Sequence, residues 1–112
     1  MELLERRVVD FFNEWLISDE PNSLNRVINT INLDREDAIM IFEEFINEFN
    51  IEESSCLSVD LDKYFYKLTF LDALFIGFFL KKIEKKYVKK TPITINHMIE
   101  VAKLKEWFDP KQ

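Results

Sequence analysis

The chain has 112 residues, 47% of them apolar, a net charge of −6, eleven phenylalanines, one glycine and one cysteine. That length corresponds to one domain spanning 1–112, with enough apolar material for a core of its own, which excludes a disordered chain. So few glycines and prolines exclude a turn-dense all-β chain, and the lone Cys56 excludes an intrachain disulfide or a Cys-based zinc set.

From Glu2 to about Ile17, apolar residues fall at Leu4, Val8, Phe11, Phe12 and Trp15, the spacing of a helix with one apolar stripe. Pro21 and the Ser, Asp and Asn residues around it stop that helix. Leu24 to Leu33 carries apolar residues at a spacing that suits a short helical turn, but the asparagines at 22, 25, 29 and 32 give it loop character.

A second helix is expected from about Arg35 to Phe49. Asp34 can accept from the free N–H groups of its first turn, and Glu36 and Asp37 suit the positive end of the helix dipole. Ala38, Ile41, Phe42, Phe45 and Phe49 form its core stripe. Glu36, Met40, Glu43, Glu44, Asn47 and Glu48 fall on the opposite side, with Ile39 at the edge.

Residues 50–62 read as a connector, and 59–66 alternates weakly enough for a short extended piece. Leu68 to Leu80 is then almost wholly apolar, with Asp72 its single charge, and it runs into Lys81, Lys82, Lys85 and Lys86. If helical, it is about 20 Å long at ~1.5 Å per residue, short of the ~30 Å hydrocarbon core, which argues against a membrane span. Three readings stand. The segment is a central core helix; or it buries a second face in a homodimer; or it lies on a membrane surface with its lysines on anionic lipid. Charge only at its end argues against the last. Phe70, Phe75, Phe78, Phe79 and the four lysines are the candidate dimer or lipid contacts. Pro92 ends this element. Thr94 can cap a last helix from about Ile95 to Trp107, with Ile95, Met98, Ile99 and Ala102 on one side and Val101, Leu104 and Phe108 beside it.

Charge is unevenly spread. Residues 1–60 hold 4 basic and 15 acidic side chains, net −11, and residues 61–112 hold 11 basic and 6 acidic, net +5. The acidic half argues against nucleic acid as a partner, since phosphate neutralisation needs clustered Lys and Arg. The N-terminus lacks a basic and then apolar leader pattern, and with the unpaired cysteine this leads to the expectation of a cytoplasmic protein. His97, the one histidine, reads as structural.

The layout of a long Asn-rich loop, a capped acidic helix, a connector and a closing helix opened by Thr94-Ile95 resembles the acyl carrier protein superfamily. It is most similar to an uncharacterised bacterial family in it, domain of unknown function 1493. The residues that carry the likeness are Glu36-Asp37-Ala38, Phe42-Glu43-Glu44-Phe45 with Phe49, Tyr64-Phe65, Pro92-Ile93-Thr94-Ile95, Met98 to Lys103 and Trp107, within 24–66 and 91–110. The resemblance implies a small all-α bundle of about four helices and an acidic second helix offered to a protein partner. Carriers attach phosphopantetheine to a serine after the aspartate, and Arg35 stands there instead, so no cofactor is expected.

A single glycine rules out a glycine-rich phosphate loop. Nothing pairs Cys56 with His97 as a nucleophile and base, and acid pairs such as Asp60/Asp62 arise by chance among 21 acids. The expectation is therefore a non-enzymatic, carrier-like protein that acts on an unknown protein partner through Glu36, Ile39, Met40, Glu43, Glu44, Asn47 and Glu48. The alternative is a homodimeric or membrane-surface structural protein that uses 68–90.

Overall fold

A computed structural model describes residues 2–16, 18–31, 33–53, 61–66, 70–85 and 90–110. They form five helices: α1 (Leu3–Trp15), α2 (Arg35–Phe49), the single turn α3 (Leu61–Tyr64), α4 (Phe70–Glu84) and α5 (Ile95–Leu104). Among the described residues there is no strand, only two isolated bridges, Val27 antiparallel to Thr94 and Asp34 parallel to Tyr66. The chain is all-α, as its composition and periodicity imply.

The core is aromatic. Val8, Val9 and Phe12 of α1 meet Ala38, Ile41, Phe45 and Phe49 of α2, and Ile95, Met98, Ile99, Val101 and Ala102 of α5. Phe11 lies edge-on to Phe12, Phe45 and Phe49, with ring centroids 5.1, 5.6 and 5.8 Å away. Such edge-to-face pairs add to the area that the rings remove from water. Midway along α2, Phe42 packs edge-on against Phe65 and Trp107. α1 lies directly on α5, and Lys103 there faces Glu2, Glu5 and Glu100 at 3.7–3.9 Å.

Both expected caps form. The Asp34 carboxylate accepts from the Asp37 N–H at 2.9 Å, and the Thr94 hydroxyl accepts from the His97 N–H at 3.1 Å. α2 ends at Asn50 in the left-handed region, φ 54°, which asparagine tolerates better than most residues.

The described residues of 24–33 have the loop character that the asparagines give, and they run beside the approach to α5, with Ile28 N–H donating to Ile93 and Ile95 N–H to Arg26. Four expectations need correction. The extended piece expected at 59–66 is helical over 61–64, and only Tyr66 bridges to a neighbour; residues 54–60, Cys56 included, lie outside the described residues. The last helix stops at Leu104 instead of Trp107 because Lys105 turns into the left-handed region, φ 64°. Leu104, expected beside the core, is consequently exposed.

The third correction concerns 68–80. In the isolated chain it is not a central core helix: Phe70, Leu71, Leu74, Phe75, Phe78 and Phe79 are all exposed. The described helix begins at Phe70 and has non-helical dihedrals at Phe79 (φ −128°, ψ 35°). The core is already filled by α1, α2 and α5, so α4 is held through its other side, where Ile83 is buried. The first helix is also slightly shorter than expected, ending at Trp15, with Ile17 outside the described residues.

Candidate functional site

α2 places all seven candidate docking residues on one exposed face. Glu36, Ile39, Met40, Glu43, Glu44, Asn47 and Glu48 recur at intervals of three and four, so they line the side opposite the buried Ala38, Ile41, Phe45 and Phe49. At its centre Met40 is 52% and Ile39 39% exposed. Two apolar side chains amid carboxylates form a small contact spot with a polar rim.

The acids are not equivalent. Arg7 of α1 reaches Glu48, its Nη2 3.4 Å from Oε1 and 3.3 Å from the backbone carbonyl. The same guanidinium stands 5.0 Å from the Phe49 ring centre. Glu48 is therefore partly committed within the chain. Glu36, Glu43 and Glu44 have no ion-pair partner among the described residues. The sequence pattern could not reveal Arg7's role, because the pairing spans 41 residues. Between α1 and α2 an open cleft continues the acidic face, lined by Arg7, Asp10, Phe11, Glu14, Trp15, Glu44 and Glu48.

Arg35, expected to replace the attachment serine if the carrier likeness holds, begins α2 and is half-buried. His97 is buried. Its Nε2 lies 2.9 Å from the Phe108 carbonyl, and its ring sits edge-on to Trp107 and Phe108. Burial holds its pKa below the ordinary histidine value, against the Phe108 bond and the charges of Asp109 and Glu100, which favour the proton. Asp109 accepts from the Tyr64 hydroxyl at 2.7 Å and from the Trp107 indole at 3.3 Å. Those bonds hold its carboxyl below the usual carboxylate range.

Sequence reasoning also missed Asn29. Its amide donates to the Tyr64 and Thr91 carbonyls at 2.9 and 2.7 Å, and its oxygen accepts from the Ile93 N–H at 2.7 Å. One buried side chain thereby ties the 24–33 segment to α3 and to the approach of α5. Of the second candidate group, Phe70, Phe75, Phe78, Phe79, Lys81 and Lys82 are exposed on α4 and Lys85 just beyond its end, while Lys86 lies outside the described residues. No three His, Cys, Asp or Glu side chains among the described residues are placed to share a metal ion. No described helix is long and apolar enough to cross a membrane.

No family model matches the chain, and no solved structure matches it. Among characterised proteins it is similar to a 15,16-dihydrobiliverdin:ferredoxin oxidoreductase of Prochlorococcus marinus (strain MIT 9312). The two are 31% identical over 102 residues, covering 80% of this chain and 40% of the relative's length. The expectation of a non-enzyme is overturned by this match, since the relative is named as an oxidoreductase and so points to an enzyme. The motifs sought in the sequence were nucleophiles, phosphate loops and metal sets. Redox chemistry can instead be carried by a bound substrate and an electron donor, with the protein supplying binding, orientation and electrostatics.

Proposed function

We propose that the chain engages a protein partner through the acidic face of α2. The observation that supports this most is the exposure of Met40 and Ile39 between Glu36, Glu43 and Glu44. The helix beneath is fixed by the Asp34 cap and by the aromatic core, so the face is offered in one geometry. A basic partner surface complements it: the carboxylates would steer and orient the encounter, and Met40 would adapt to the contact. The likeness to acyl carrier proteins favours the same face. Arg35 stands where the attachment serine would be, so contact and not acyl carriage is the role that likeness supports.

The test compares the wild type with the variant Met40→Asp, Glu43→Lys, Glu44→Lys. All three positions are exposed, so far-UV circular dichroism should not change. Proteins retained by the immobilised chain at low salt should be lost with the variant and should weaken as salt rises. The same retained set on both chains would refute the proposal.

The oxidoreductase similarity favours a second reading, compatible with the first: the protein-contact face serves a redox reaction of the kind that the relative's name describes. Because the chain spans 40% of that relative, the reading is tested by binding. Titration with 15,16-dihydrobiliverdin should shift the pigment's visible absorption in a saturable way. A spectrum unchanged by the protein would rule this reading out and leave the first intact.

A further inference from the structure

We infer that α4 seats the protein on an anionic lipid surface, with its phenylalanine face entering the interface and the lysines that follow meeting the headgroups. The exposed side chains form two parallel rows. Phe70, Leu74 and Phe78 are spaced by four, and so are Leu71, Phe75 and Phe79. Rows of that spacing lie side by side on a helix and make one continuous face. Phe70 and Phe78 are each 81% exposed. Contiguous large apolar side chains left in water mark a contact surface for a protein or a membrane.

The lysines follow this face, past the non-helical dihedrals at Phe79. Lys81, Lys82 and Lys85 are exposed immediately beyond it, and the Lys82 ammonium lies 5.9 Å from the Phe79 ring centre. Asp72, the acid within the apolar turns, falls outside both rows and is half-buried. The exposed face thus presents apolar turns and then positive charge. Long lysine side chains can lay their methylenes on apolar surface and hold the ammonium at headgroup level.

A polar side running the length of the helix, whose lack in the sequence argued against lipid, is not needed here. The protein itself covers the other side, with Ile83 buried and Ile76 and Leu80 half-buried. A second copy suits the face less well. Paired α4 helices would set lysines against lysines or against a helix N-terminus, which are like in sign. The acidic face of α2 on another copy offers only Ile39 and Met40 to cover six large side chains. No described helix is long and apolar enough to cross a bilayer, so the contact inferred is peripheral.

The test is flotation of the full chain with vesicles of phosphatidylcholine alone or mixed with an equal part of phosphatidylglycerol. The chain should float with the mixed vesicles and stay down with phosphatidylcholine alone. Phe70→Asp with Phe78→Asp should abolish flotation. Lys81→Glu, Lys82→Glu and Lys85→Glu together should weaken binding at least about tenfold, as the loss of several surface charges next to anionic lipid implies. Wild-type protein left at the bottom with mixed vesicles would overturn the inference. So would variants that float unchanged, or a wild-type dimer in light scattering that Phe78→Asp dissociates while no flotation occurs.

Discussion

Asn29 and His97 show how single polar side chains shape this fold. The asparagine uses its amide and its oxygen on three backbone groups from two distant segments, and a buried donor or acceptor left unmatched there would cost about 1–3 kcal/mol. Nothing in the sequence distinguishes it from its neighbours at 22, 25 and 32, because its partners at 64, 91 and 93 are far along the chain. The burial of His97 has no signal in the sequence beyond its being the one histidine. Its pKa is lowered by burial, so the unfolded chain takes up the proton first as pH falls. The contribution of neutral His97 to stability is whole above the ordinary value of 6.5 and is lost as pH falls through that value toward the folded one. Asp109, whose pKa is also lowered, loses its contribution only below the carboxylate range. The urea midpoint of the wild type should therefore drop between about pH 7.5 and about pH 5, the span in which histidine titrates. His97→Gln, which keeps a side-chain N–H donor, should be flat over the same span. Equal slopes would remove His97 from the account.

Among the elements, α1, α2 and the start of α5 were readable because apolar spacing and side-chain caps agree. Asp34 and Thr94 are both seen accepting from the N–H three residues on. Asp34→Ala should cost about 1 kcal/mol, typical of a lost N-cap, seen as a lower urea midpoint with an unchanged slope; no change would mean that the Asp34 cap adds nothing. The C-terminal ends were harder. With one glycine in the chain, the left-handed positions among the described residues fall to Asn50 and Lys105, and a lysine gives no stop signal. Lys105 is held there in part by its own ammonium, which donates to the Phe49 carbonyl at 2.9 Å. α4 was misread for another reason. Apolarity all round a segment says that it must be covered, but not by what, and α1, α2 and α5 leave it at the surface.

At the scale of the whole molecule, the imbalance between an acidic first half and a basic second half becomes two surfaces of different character. One is the α2 face, carboxylates around Ile39 and Met40; the other is the α4 face, phenylalanine rows ending in lysines. The first was readable residue by residue, because every member lies on one helix with a clean period. The membership of Leu71 and Leu74 in the second emerged only with the backbone in place. The similarity to an oxidoreductase adds a chemical context that no motif in the chain carries. The central claim is that α2 is a protein-contact face. A photo-crosslinking side chain placed at Met40 tests it most directly, with one at the exposed Glu106 as control. The account predicts a discrete protein adduct at position 40, absent at 106 and lost when Glu43 and Glu44 are changed to Lys. No adduct at 40, or the same adducts at both positions, would contradict it.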